Sequence, residues 1–191
     1  MKSTQPVSDS RPTILRGSCA CGASSFEVKV HPTERFICHC LFCQSFVGRS
    51  YTDVTIMRAS DVVIHNNENV TYRNPQLLPP GFAKGRGSRF GDPDRARFVK
   101  CAALDRGTCD TCGKPFIETI GPGSLGAVFI PSWNFDVQDD LPPVQRHIFD
   151  QLHESEGPDD QLPRHHGFVA SQVAIGGMML RTFTARKTTN A

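Results

Sequence analysis

The sequence predicts a mainly β chain folded as a single domain, and three observations carry that expectation. Sixteen Gly and 14 Pro among 191 residues cut the chain into short segments, which suits strands joined by turns better than a helical bundle. Several segments alternate in polarity, most clearly Phe26, Val28 and Val30 against Ser25, Glu27 and Lys29, the period of a half-buried strand. Two separate cores would leave each half of a chain this long too small to bury much surface.

Taken in order, residues 1–13 are polar, contain Pro6 and Pro12 and read as a disordered leader. Residues 14–19 form a first strand that ends at Cys19-Ala20-Cys21-Gly22, and 24–30 form its partner, giving a hairpin with two cysteines at its tip. His31-Pro32 breaks the pattern, and Arg35-Phe36-Ile37 is a short extended approach to Cys38. Residues 41–46 make a helical turn that brings Cys43 back toward Cys40, with Leu41, Phe42 and Phe46 walling off water. Strands follow at 51–57, 62–64 and 70–72, the last two joined by Asn66-Asn67 as a hairpin turn.

Residues 73–94, rich in Gly, Pro and Arg, read as an inserted loop. A strand resumes over 95–103 and leads into a Cys109-Asp110-Thr111-Cys112-Gly113 knuckle. Residues 116–120 and 125–130 pair across Gly121-Pro122-Gly123. Arg146-His147-Ile148-Phe149 and Gln161-Leu162-Pro163-Arg164 close the patterned part. Residues 168–191 hold an apolar run at 173–180 whose conformation, strand or helix, stays open.

Compartment and charge narrow the chemistry. Residues 1–10 lack the apolar stretch of an export signal, and no run approaches the ~20 residues that span a bilayer, so the chain is placed in the cytoplasm, where thiols stay reduced. A formal charge of +2 gives no reason to expect nucleic acid or an anionic membrane as partner.

Seven of the eight cysteines divide into two sets. Cys19 and Cys21 lack two ligands, as do Cys109 and Cys112, and joining the pairs gives a closed four-thiolate zinc site; disulfides would need an oxidising compartment. Cys38, Cys40 and Cys43 form a second set of three. Its fourth position is either open to water or an incoming thiol, or filled by His39, His147 or Cys101. His39 is expected to face away, because neighbours in an extended loop point to opposite sides.

Three thiolates make zinc a weak Lewis acid, suited to a soft ligand, and a thiol entering there is deprotonated into a nucleophile. That chemistry points to sulfur attacking an electrophilic carbon. His39, Tyr51 and Asp53 lie near in sequence, but none is singled out as acid or base. Lys84, Arg86 and Arg89 read as a solvated cluster, with carboxylate or nucleic-acid binding as the rival. Trp133 and Phe135 read as core rather than pocket lining, and His165-His166 as an exposed turn.

The order GSCACGA at 17–23, CHCLFC at 38–43, CDTCGKP at 109–115, RHIF at 146–149 and QLPR at 161–164 resembles the glutathione-dependent formaldehyde-activating enzyme family, which also includes centromere protein V. The likeness runs over 14–168, with 73–94 as an inserted loop and 169–191 as a C-terminal extension. It implies a β-tent of packed antiparallel sheets with two zinc ions. Cys19, Cys21, Cys109 and Cys112 would hold a structural zinc, and Cys38, Cys40 and Cys43 a catalytic one. The implied activity is that of a carbon–sulfur lyase, reversibly joining glutathione to formaldehyde as S-(hydroxymethyl)glutathione. The expected function is therefore a zinc-dependent lyase acting on a thiol adduct, its partners glutathione or a similar thiol and a small electrophile. The alternative is a non-catalytic, zinc-stabilised binding module for protein or nucleic acid.

Overall fold

The expected hairpin forms at the start of the chain in a computed structural model that describes residues 14–73, 104–152 and 158–185. β1 (Leu15–Ser18) pairs antiparallel with β2 (Ser25–Val28), and β2 with β5 (Val62–His65), giving a three-stranded sheet. The other strands build an eight-stranded sheet: β3 (Glu34–Cys38), β4 (Thr52–Arg58), β6 (Val70–Arg73), β7 (Leu104–Cys109), β8 (Pro115–Ile120), β9 (Ala127–Pro131), β10 (His147–Ile148) and β11 (Arg164–His165). Their spatial order is β11-β10-β3-β4-β9-β8-β7-β6. Every pairing is antiparallel except those of the two-residue β10, which runs parallel to β3 and β11. The leader at 1–13, the inserted loop from residue 74 onward and the strand expected at 95–103, Cys101 included, lie outside the described residues.

Two cores flank the large sheet. Leu15, Phe26, Val28, Met57, Val70, Phe116, Ile117, Val128, Ile130 and Phe135 pack between the two sheets, where Phe26 meets Phe135 edge to face at 5.0 Å. On the opposite face Phe36, Val54, Ile56, Phe129, Ile148, Ala174 and Met178 pack beneath two helices, α1 (Leu41–Val47) and α2 (Gly167–Thr184). Central strands are thus covered on both sides, and all five residues of β9 are buried.

One expected turn is corrected. Asn66-Asn67 does not close a hairpin, because β5 and β6 belong to different sheets. Asn66 sits at φ 54°, a left-handed conformation that Asn tolerates, and turns the chain through the corner from the small sheet to the large one. The segment past residue 168, undecided in sequence, is α2. Its buried Ser171, Ala174, Met178 and Thr182 recur at helical spacing. Arg181 grips the buried Glu34 carboxylate with two bonds of 2.7 and 2.9 Å, and Arg58 donates to the Thr182 and Ala185 carbonyls at the helix end, satisfying acceptors that a helix terminus leaves unpaired. Among the described residues no helix is long and apolar enough to cross a membrane.

Close approach at Gly17 supplies a test of the packing. β1 abuts the segment after β9, where Gly17 bridges Phe135, and a Cβ on Gly17 would stand 2.1 Å from the Asn134 carbonyl oxygen and 2.4 Å from Phe26 Cζ. Gly17→Ala is expected to cost about 2–3 kcal/mol through overpacking, lowering Tm by roughly 4–10 °C in a domain of this size. An unchanged thermal unfolding curve would show that β1 can move aside.

Candidate metal centre

Two tight turns bring the first cysteine group together. The β1–β2 turn places Cys19 and Cys21, the β7–β8 turn places Cys109 and Cys112, and the four sulfurs lie within 4.8 Å of one another. Gly22 and Gly113, at φ 75° and 66°, close these turns by donating to the Cys19 and Cys109 carbonyls, in backbone that residues with a Cβ adopt reluctantly. The corner at Asn66 holds the turns in place: Asn66 and Asn69 side chains both donate to the Ala23 carbonyl, and the Asp110 N–H donates to the Asn69 carbonyl. The Cys19–Cys21 and Cys21–Cys109 sulfur distances are 3.6 and 3.8 Å, against about 3.8 Å for the edge of a tetrahedron with Zn–S bonds near 2.3 Å. The donor set fits a closed zinc site that staples one sheet to the other.

Cys38, Cys40 and Cys43 converge likewise, their sulfurs within 4.8 Å. Cys38 ends β3 and Cys40 caps α1, its sulfur accepting from the Cys43 N–H at 3.4 Å. The helix returns Cys43 toward Cys40, as the spacing predicts. Hydrogen bonds from Cys38 and Cys43 hold the Cys40 thiol well below its ordinary value, against burial and with help from the Arg106 charge. Burial, and then bonds to the same neighbours, push Cys38 well up. Cys43 rises to about 12, the bond from Cys38 opposing while that to Cys40 and burial raise it. Three thiolates in contact and buried repel one another, so all three ionise together only with a positive ion among them; the donor set fits zinc.

Among the described residues, no other His, Cys, Asp or Glu joins this trio. His39 turns away into a separate group with His147 and Asp150, whose ligand atoms also lie within 4.8 Å of one another and can hold an ion. In the structure hydrogen bonds link that group. His39 Nε2 and His147 Nδ1 are 2.9 Å apart, and His147 Nε2 is 3.0 Å from Asp160 Oδ1. A carboxylate only accepts, so His147 donates through Nε2, and in its neutral form receives the His39 Nε2–H at Nδ1. Asp150 receives Arg164 at 2.8 Å. The His39 N–H donates to the Ile148 carbonyl, and Gln44 donates to the His39 carbonyl at 2.8 Å, so the residue between two of the trio is held at its N–H, its carbonyl and its ring Nε2.

Other sequence candidates find structural roles. Asp53 is committed to Arg35, with bonds of 2.9 and 2.7 Å, and to Ser132 at 2.8 Å. The Tyr51 ring lies 6.2 Å from that of His39. Phe135 fills the core, whereas Trp133 is half-buried under the Arg49 guanidinium at 4.5 Å. His166 is exposed, 3.5 Å from Asp150, and His165 is half-buried in β11. Lys84, Arg86 and Arg89 lie outside the described residues.

Sequence reasoning missed the charges beside the trio. Arg106 and Glu118 face each other across β7 and β8 and are both buried, with Nε 2.8 Å from Oε2. Arg106 Nη2 reaches Cys43 Sγ at 3.5 Å. Burial opposes the guanidinium charge, but Glu118 and the sulfurs of Cys43 and Cys40 hold its pKa above the ordinary value. Burial lifts the Glu118 carboxyl to about 8, against the pull of Arg106. Counting outward from the Cys109–Lys114 turn pairs Arg106 with Ile117; a register shift at Gly107/Thr108 sets it opposite Glu118 instead, and the sequence gives no sign of that shift or of α1 covering this face.

A family model described as glutathione-dependent formaldehyde-activating enzyme matches residues 14–151. No curated protein matches. A solved Rhodobacter sphaeroides protein is similar at 19% identity, with 68% of this chain and 96% of that chain covered and a TM-score of 0.42, a likeness too slight to carry an argument. The family match takes in well over half of the chain, both cysteine groups and the strands from β1 to β10, and on that extent the chain belongs to the glutathione-dependent formaldehyde-activating enzyme family.

Proposed function

We propose that the protein is a cytoplasmic zinc-dependent carbon–sulfur lyase that interconverts a thiol adduct with a free thiol, glutathione or a similar one, and a small electrophile of the formaldehyde type. The observation that carries this reading is the convergence of Cys38, Cys40 and Cys43 with no fourth donor among the described residues. Cys19, Cys21, Cys109 and Cys112 would hold a second, structural zinc. Zinc bound by three thiolates supplies a soft acid that favours the ionised form of an added thiol. The chain does the rest: β3 and α1 fix the sulfurs, and half-buried Leu41, Phe42 and Phe46 limit water. The Arg106 guanidinium offsets the negative charge that accumulates on the sulfurs.

Metal analysis should give two zinc ions per chain, and added glutathione should shift the sulfur-to-metal absorption of cobalt-substituted protein. A spectrum unmoved by millimolar glutathione would sink the reading. The His39–His147–Asp160 chain supplies a second check. His147→Phe leaves the His39 Nε2 bond unmade, at a cost of about 1–3 kcal/mol, and loosens the loop that carries Cys38 and Cys40. Zinc should leave the three-cysteine site for a competing chelator about 10–100-fold more readily, with the four-cysteine site unaffected. Equal retention at both sites would remove this anchoring role.

A further inference from the structure

Arg106 is placed with more precision than charge compensation requires. Its side chain is 9 % exposed, its guanidinium carbon is 5.5 Å from the centre of the Phe46 ring, and Nη2 touches Cys43 Sγ. Nε is near enough to Glu118 for an ion pair but is not aligned as a hydrogen bond, and Nη1 is buried with no acceptor among the described residues. A buried donor left unmade costs about 1–3 kcal/mol, and a buried ion pair seldom returns its own desolvation cost. Both partners stand on paired strands, rigid elements of the kind that position a binding group well. A ligand sulfur bound alongside the trio is a neighbour of Cys43, and so of this fork.

Resting on the thiol-binding reading above, we propose that Arg106 is the anion-recognising residue of the three-cysteine site, donating to a negatively charged oxygen carried two or three bonds from the ligand sulfur. In a bound thiol that oxygen is the carboxylate of an α-mercapto acid. In the addition reaction it is the alkoxide of the adduct. The thiolate lone pair forms the S–C bond, the carbonyl π pair moves to oxygen, and the proton released when the thiol ionised returns to that oxygen through water. Arg106 keeps its protons throughout and contributes charge-assisted hydrogen bonding where negative charge develops. The ligand class is thus thiols and thiol adducts with an oxyanion next to the sulfur-bearing carbon or on it.

The test compares mercaptoacetate with ethanethiol, which share a sulfur and two carbons but differ in the carboxylate, by titrating each into cobalt-substituted protein. Wild-type protein should bind mercaptoacetate at least about tenfold more tightly, the usual worth of a hydrogen bond to a charged group. Arg106→Gln combined with Glu118→Gln, which leaves no lone buried charge, should reduce that preference to under about threefold; loss of the guanidinium charge beside the sulfurs shifts the affinity of both thiols alike and cancels in the ratio. Arg106→Lys keeps the charge but not the fork and carries the comparison if the double variant fails to load both metals; it too should lose most of the preference. Equal binding of the two thiols by wild-type protein, or a preference that survives either variant, overturns the assignment to Arg106. If neither thiol alters the wild-type spectrum, the thiol-binding reading itself falls, and Arg106's role with it.

Discussion

Cys40→Ser is expected to give a folded protein with one zinc instead of two and with lyase turnover lowered by at least about a hundredfold. Cys40 is the sharpest place for this cut. It is half-buried where Cys38 and Cys43 are buried, and it caps α1 by accepting the Cys43 N–H. Serine is a good cap in the same position, so the helix persists while the soft donor is lost. Metal analysis, circular dichroism and turnover of a glutathione–formaldehyde adduct together give the answer. A serine protein that keeps its fold and its other zinc yet turns over normally would remove the three-cysteine site from catalysis.

Cys112→Ser is expected to act on stability instead. Cys112 is half-buried at the edge of the four-cysteine group, so its replacement disturbs core packing less than a change at Cys19 or Cys109, both almost fully buried. Its effect therefore reports the metal. A four-thiolate zinc contributes on the order of 10 kcal/mol to folding, and weakening it by several kcal/mol should lower Tm by about 10 °C or more. The loss falls at the junction between the sheets, since the group joins the β1–β2 turn to the β7–β8 turn. Zinc content should fall to the ion of the three-cysteine site. Thermal unfolding within about 2 °C of wild type, with both ions retained, would show that the group needs only three of its cysteines.

How far the chain can be read without coordinates depends on where each residue's partner lies. β2 was legible because the small sheet shows one face to solvent, so Phe26 and Val28 alternate with Ser25 and Glu27. β9 is an unbroken apolar run and β4 buries 54–57 in succession because both faces are covered, and such stretches do not say which core each residue enters. Asn66-Asn67 reads as a hairpin turn from sequence because a corner between sheets and a hairpin use the same residue types. Helix α2 stayed undecided because Gly176-Gly177 interrupts it, and its helical face is defined by what lies beneath Ala174 and Met178.

The sequence by itself determined the mainly β class, the family and which sulfurs stand near one another within each motif, because two- to four-residue spacings and tight turns are local geometry. Only the tertiary structure decided what surrounds those sulfurs. Arg106 and Glu118 at the trio, Asp160 behind His147, and Glu34 beneath Arg181 are joined across strands and across long stretches of chain. Charges so placed are held by burial and by partners distant in sequence, and neither leaves a trace in the local pattern of residues.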